Sequence, residues 1–549
     1  MTDETSPSFA FLVQGDAYAT TGKIMGRQAA GEGLMRGMGR AFSQGRLYAV
    51  GSPGTDRAAL QRTLEDGGFT GSVQWSHELD YAGARATGAL YYPAPPNVGT
   101  ARMRNRLGPG TFSVIGVTHT LSSDRALDGL SALALPPFQP WDALICTSRA
   151  ALRLVETLLE EVREELNRQL GVHRFGKVQL PIIPLGVNCD RYLVSEGERA
   201  QARAAFGLAE DEVAVLFAGR LSFHAKANPA ALYSALQAVS GDAKLVCIEA
   251  GLFPNAGIKA SFIQAQRVLA PGVRFIHAPG DNAQAYGDAW RAADIFTSLS
   301  DNIQETFGLT PVEAMAAGLP VVATDWNGYR DNIRRGQDGF LIPTLAAAPG
   351  AGEDIALAVE TSTLTYDRLI GLASLSVSVD HRALTEALRS LALDPELRRR
   401  MGASGRKRAL ETFDWPVVLR AYNGLCAELT ALRAMGQSMP SEPWPQRADP
   451  FRRFADFPTR TLAEDDLVRL LPDAPTRLNA ITELTMANFC FDDVLLPKEL
   501  LTRFVDALRG NGGKGDVRTL LAVAGGAVPA NQRALLWLAK FGIVDIYRP

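Results

Sequence analysis

Two rhythms of apolar and polar residues alternate along most of this chain. Short runs rich in β-branched and apolar residues recur before residue 190: FAFLV, RLYAV, SVQW, ALYY, FSVIGVT, DALICTS and VQLPIIP. Between the last two, Leu154, Val155, Leu158, Leu159, Val162, Leu166 and Leu170 return at helical spacing from Ala151 to Leu170, and Gly171 follows as a stop. The pattern then restarts with VAVLFAG, AKLVCIEA, VRFIHAP, DIFTSLS, LPVVATD and GFLIP. Strands separated by helices make βαβ units, whose parallel sheets are covered on both faces. Two such series, broken near residues 188–200, predict an α/β protein with two facing Rossmann-like domains.

Residues 345–380 break the second series, opening as the loop AAAPGAG and continuing as a weakly helical stretch, which reads as an insertion. Helical patterning resumes and runs to about residue 436, and a Pro-containing polar linker follows from about Gln437 to Asp456. Residues 457–549 read as a mainly helical extension whose last helix and strand-like IVDIY resemble, over a short stretch, the close of a winged-helix domain. The expected organisation is a first domain over 1–190, a second over 191–410, connecting helices over 411–436 and the extension.

With 549 residues the chain is too long for one ordinary core. Its 46% hydrophobic and 21% charged residues are those of a soluble globular protein, and a net charge of −3 gives no general reason to bind nucleic acid. The extension balances 14 acidic against 14 basic residues over 440–549, so it lacks the charge of a nucleic-acid module. It fits a packing role on the rest of the chain, on a second copy or on a partner protein. The N-terminal MTDETSPSFAFLV carries acids where a signal peptide carries bases, and no apolar run is long enough to span a membrane. Five scattered cysteines form no C-x-x-C pair, which favours a reducing, cytoplasmic setting.

The stretch DNIQETFGLTPVEAMAAGLPVVATDW places two carboxylates, Glu305 and Glu313, inside a segment otherwise suited to a core. Glu313 fits a capping box, with Thr310 at the N-cap, Pro311 at the first helical position and Glu313 at N3. That leaves Glu305 unexplained. A helix start after a strand of a parallel sheet is also an anion site, and Gly308 would let a ligand approach the backbone. Carboxylates flanking a phosphate must bind hydroxyls, such as those of a sugar or a ribose.

The segment ETFGLTPVEAMAAGLPVVATD resembles the E-x7-E segment of glycosyltransferase family 4, retaining enzymes of the GT-B fold. The resemblance implies that Glu305 contacts the transferred sugar and Glu313 the ribose of a nucleotide-sugar, with Gly308, Leu309 and Thr310 beside the donor. In VAVLFAGRLSFHAK, Arg220 and Lys226 correspond to the basic pair that neutralises the donor diphosphate, one residue further apart than is common in the family. Alone, such a pair is often merely solvated. His119, at the end of FSVIGVTHTLSS, corresponds to a histidine near the reacting sugar, although a lone strand-end histidine is more often structural. TTGK fails as a P-loop, because Ala17 and Ile24 stand where Gly and Ser or Thr are required. It fits the first strand–helix turn of the family, with Gly22 near the donor phosphate.

The implied activity is transfer of a sugar from a nucleotide-sugar to a hydroxyl of a saccharide or lipid-linked acceptor, with retention of configuration. No D-x-D motif occurs, and the resemblance implies metal-independent chemistry with no cofactor beyond the co-substrate. A phosphorylase, a nucleotide-sugar epimerase and a non-catalytic scaffold of the same architecture are the alternatives. Lys23, Arg27, Arg36, Arg40, Arg46, Arg102, Arg104 and Arg106 read as a solvated face or, taken together, as a basic rim suited to an anionic acceptor or peripheral contact with the inner membrane.

Overall fold

The computed structural model describes residues 6–13, 18, 26–51, 55–78, 80–436, 443–488, 497–525 and 528–548. Six strands, β1 (Ala10–Val13), β2 (Arg46–Gly51), β3 (Ser72–Ser76), β4 (Ala89–Tyr91), β5 (Ser113–Val117) and β6 (Ala143–Ile145), form a wholly parallel sheet in the order β3-β2-β1-β4-β5-β6. A second parallel sheet holds β7 (Val213–Ala218), β8 (Leu245–Gly251), β9 (Arg274–Pro279), β10 (Ile295–Ser298), β11 (Val321–Thr324) and β12 (Gly339–Ile342), in the order β12-β11-β10-β7-β8-β9. Both orders are the doubly wound Rossmann pattern, with the chain reversing direction across the sheet between β1 and β4 and again between β7 and β10. Two Rossmann-like domains in one chain make the GT-B architecture that the sequence led us to expect.

The physical reason these strands read clearly is burial on both faces. Every residue of VAVLFA in β7 and of LVCIEAG in β8 is buried, so neither strand alternates. VQLPIIP makes no strand. Pro181 and Pro184 supply no N–H, and the segment forms only isolated bridges, from Gln179 to Ala143 and from Ile182 to Cys146. The helix before it runs Arg149–Leu170, capped by Ser148 and ended by Gly171 in the left-handed region.

The helix Trp415–Met435 returns to the first domain. Its Asn423 accepts from the Ser8 amide at 2.9 Å, and Arg433 donates to Gly88 O at 2.6 Å and Ser113 Oγ at 2.8 Å. Trp415 is buried so tightly against Gly37 that a Cβ there would sit 2.3 Å from the Trp415 Cβ. Arg40 pairs with both Asp190 and Asp414, tying the first domain to the two segments that leave it.

Residues 344–380 are more ordered than a loop and a weak helix. Strand β13 (Thr344–Ala346) pairs antiparallel with β14 (Val377–Val379), and helices Glu353–Glu360 and Tyr366–Leu375 lie between them. The C-terminal unit, 445–549, is mainly helical, with a small antiparallel sheet in which β15 (Leu467–Leu470) lies between β16 (Lys514–Asp516) and β17 (Val544–Tyr547). Leu501, Phe504, Leu508, Leu535, Leu538 and Ile543 fill its own core.

Of the eight basic residues read as a solvated face or a rim, Arg46 and Arg106 are exposed and Arg104 belongs to neither reading. Arg104 is fully buried against Asp142, Arg36 pairs with Glu32 and Asp66, and Arg40 is held as described. Lys23 and the Arg27 side chain lie outside the described residues.

Glu249, in the middle of β8, is 2% exposed and accepts from the Tyr233 hydroxyl and from Gln266 Nε2 at 3.0 Å. Burial raises its pKa to about 7 despite those two bonds. The native state therefore holds a proton that the unfolded chain has lost, and stability falls as pH rises from the ordinary Glu value to about 7. Glu249→Gln keeps the acceptor for Tyr233 and is expected to remove this slope. Its advantage over the parent chain should grow from pH 5 to pH 8, to of the order of 3 kcal/mol at most. Thermal midpoints of both chains across that range would test it; a constant difference would refute it.

Candidate active site

Ligands of doubly wound sheets bind beyond the carboxyl ends of the strands, where the strand order reverses. In the second domain that crevice lies beyond β7 and β10. Gly219 follows β7 with φ +134, and Arg220 comes next. Arg220 Nη2 donates to Ala225 O at 2.8 Å and to Gln304 Oε1 at 2.6 Å. At the far end of the same loop, Lys226 Nζ lies 2.6 Å from Glu305 Oε2, and both side chains are largely buried. The Tyr329 hydroxyl lies 3.4 Å from the same oxygen, and Asn327 Nδ2 donates to Glu305 O at 2.6 Å.

These contacts set the charges. Burial pushes the Glu305 carboxyl up, but Lys226 and the amides of Phe307 and Thr306 more than reverse it and hold it below the ordinary glutamate value. Burial would likewise lower Lys226, and Glu305 overrides that, leaving the ammonium above its usual value. Burial lowers Arg220, opposed by Asp367, Tyr366 and Glu305. All three groups are thus charged and fixed at neutral pH.

Helix Leu309–Ala316 starts two residues earlier than the capping-box reading requires. Its N-cap is Gly308 at φ +88, where no side chain can cap. A Cβ at Gly308 would fall 2.1 Å from the Tyr329 ring, so the position demands glycine for conformation and for space. Thr310 is then the second helical residue, and its buried hydroxyl has no hydrogen-bond partner among the described residues. The capping box is therefore overturned. Glu313 lies instead under the influence of the Tyr192 hydroxyl, Lys226 and Arg191. Burial raises its pKa, and those neighbours only partly offset the rise.

The structure thus gathers Arg220, Lys226, Glu305, Gly308, Leu309, Thr310 and Glu313 in one crevice. His119 stands half-buried just after β5 in the first domain, next to Thr118, whose Oγ1 lies 3.1 Å from Thr147 Oγ1. Gly22 lies outside the described residues. Ser148 Oγ donates to Thr306 O at 2.9 Å, and Arg149 pairs with Asp331 at 2.7 Å, so the first domain abuts the Glu305 turn. Sequence reasoning passed over Tyr192, Gln304, Asn327 and Tyr329. Each is polar and lies at or just beyond the carboxyl end of a strand or in a domain-closing segment, and that position was the available signal. Among the described residues, no three His, Cys, Asp or Glu side chains are grouped to hold a metal ion.

Residues 212–358 match the family model described as Glycosyl transferases group 1. A D-inositol 3-phosphate glycosyltransferase of Streptomyces avermitilis is 32% identical over 281 residues, covering 50% of this chain and 51% of that protein. Its counterpart from Geodermatophilus obscurus is 33% identical over 198 residues, covering 35% of this chain and 42% of that one. The chain spans about half the length of the curated relatives it matches. Among solved structures, Anabaena Alr3699/HepE in complex with UDP aligns over 77% of this chain and 99% of its own, at 18% identity and TM-score 0.46. A sucrose-phosphate synthase from Thermosynechococcus elongatus aligns over the same shares, at 20% identity and TM-score 0.46.

Topology and crevice together define a GT-B protein with a cationic, carboxylate-flanked pocket on its second domain. Within that second domain, residues 212–358 are similar to the family described as Glycosyl transferases group 1.

Proposed function

We infer that the protein is a retaining glycosyltransferase that moves a sugar from a nucleotide-sugar to a hydroxyl of a saccharide or lipid-linked acceptor, without a metal ion. The observation that carries this reading is the convergence of Arg220, the Lys226–Glu305 pair and Glu313 beyond β7 and β10. Arg220, Lys226 and the start of helix Leu309–Ala316 supply positive charge where a diphosphate leaving group gains negative charge. Glu313 accepts from ribose hydroxyls. Glu305, pinned by Lys226, Thr306 and Phe307, positions the sugar through its hydroxyls. The bond from the sugar's anomeric carbon to the diphosphate breaks, and the acceptor oxygen bonds to that carbon on the same face. The acceptor's proton passes to the departing phosphate oxygen. His119 faces this reaction from the first domain. Four described cysteines are free and buried, which suits a reducing, cytoplasmic setting, and no helix among the described residues is long and apolar enough to cross a membrane.

The test is a coupled assay of nucleoside diphosphate release over a panel of nucleotide-sugars, with and without saccharide acceptors. Release that depends on acceptor supports transfer, and none with any donor rejects it.

Glu313→Gln is expected to raise the donor KM roughly tenfold or more, the scale of about 1.5–3 kcal/mol for a charged hydrogen bond. Because Glu313 does not cap its helix, the thermal midpoint should hardly move. Unchanged kinetics beside a lower midpoint would make Glu313 structural.

A further inference from the structure

The insertion does not stand clear of the crevice. Helix Tyr366–Leu375 lies against the loops that carry Arg220, Lys226 and Glu305. Ile370 and Ser374 are buried, Asn302 Nδ2 donates to His224 O at 2.5 Å and lies 3.4 Å from Ile370 O, and a Cβ on Gly371 would touch that of His224 at 3.4 Å. This packing fixes the first residue of the helix, Tyr366, at the mouth of the cleft. Gln304 Nε2 donates to the Tyr366 hydroxyl at 3.1 Å, and the hydroxyl lies 2.9 Å from Ser122 Oγ in the first domain. Because its oxygen accepts from Gln304, the Tyr366 hydroxyl is free to donate its proton to Ser122. Gln304 Oε1 in turn accepts from Arg220. One continuous relay therefore runs Ser122–Tyr366–Gln304–Arg220, from the segment just after His119 to the cation beyond β7.

We propose that Tyr366 is a positioning residue that fastens the first domain across the cleft and, through Gln304, sets the Arg220 guanidinium against the leaving group. Its part in turnover rests on the donor reading above; its part in closing the cleft does not. Gln304 presents both ends of its amide, so losing the Tyr366 hydroxyl frees the amide to rotate and Arg220 to follow. Ground-state binding of a diphosphate tolerates such a shift better than the transition state, where charge develops at a fixed place.

Tyr366→Phe keeps the ring and removes only the hydroxyl. Small-angle scattering of the full, unliganded chain should show a larger radius of gyration for Tyr366→Phe and for Ser122→Ala. The double variant should be no larger than either single one, since both cut the same bridge. With nucleotide-sugar and acceptor, Tyr366→Phe should lower kcat roughly five- to tenfold, the scale of one or two lost hydrogen bonds. The donor KM should move less than about twofold. Scattering and kcat both equal to those of the parent chain would overturn the proposal. Opening without loss of kcat would overturn the positioning role. A variant that opens while neither it nor the parent transfers sugar from any nucleotide-sugar would retain the bridge and remove the donor reading.

Discussion

Replacing Arg220 with alanine is expected to lower turnover by roughly 10²-fold or more, as losing a donor to developing charge does. The side chain is half-buried at the switch point and fixed by Ala225 O and Gln304. The diphosphate would therefore meet a cation already in place. Lys226 does not make up the loss, because its ammonium is tethered to Glu305 at 2.6 Å and cannot move into the place that Arg220 leaves. Arg220→Lys should recover only part of the loss. It restores a charge on a more flexible stem but not the planar fork that reaches Gln304 and a phosphate oxygen together. Single-turnover measurement of nucleoside diphosphate formation gives the answer directly. An unaffected rate would take Arg220 off the leaving group, whatever happened to steady-state kinetics.

Most strands of the two sheets, such as β5, β7, β8, β10 and β11, were legible because they are buried throughout, while the edge strands β3 and β9 are partly exposed. Strands covered on both faces need apolar residues throughout, and the one run that imitated them, VQLPIIP, is barred from pairing by its two prolines. Glu305 and Glu313 stood out for the opposite reason, as charges set in an apolar frame, whereas Arg220 and Lys226 were singled out only by the family resemblance. The cap of helix Leu309–Ala316 was misread because Thr-Pro-x-Glu satisfies the rule for a capping box. The sequence could not show that Gly308 already held the N-cap at φ +88. The Tyr366 relay was invisible, since Ser122 and Tyr366 are 244 residues apart and meet only because two domains close on each other. The helix bearing Tyr366 buries too few apolar side chains to announce where it packs.

Arg104 shows a third way in which a residue escapes sequence reasoning, and it carries the largest expected effect on stability. The alternation in ARMRNR makes it one of three arginines with nothing to set it apart. In the fold it is fully buried and makes a two-pronged pair with Asp142, Nη1 to Oδ1 at 2.7 Å and Nη2 to Oδ2 at 2.8 Å. Phe112 O and Pro137 O accept from the guanidinium at 3.1 and 3.0 Å, and Asp142 also accepts from the amides of Val114 and Gln139, each at 2.8 Å. The pair thus clamps β5, the loop before β6 and the helix Val98–Leu107, and β5 is the strand that leads into His119 and Ser122. Removing one partner strands the other charge in an apolar interior. Arg104→Ala or Asp142→Ala should cost about 3–5 kcal/mol. For a domain of this size that is a fall of roughly 6–20 °C in the thermal midpoint of the first domain. Removing both charges together with well-packed apolar side chains, Arg104→Met with Asp142→Leu, should cost clearly less than the sum of the single changes, because no lone charge remains. The Val114 and Gln139 amides would still lose their acceptor, so some loss should persist. Thermal unfolding of the two single variants and the double variant decides the matter. Strict additivity would mean that the two side chains stabilise the first domain independently and that the clamp is not a unit.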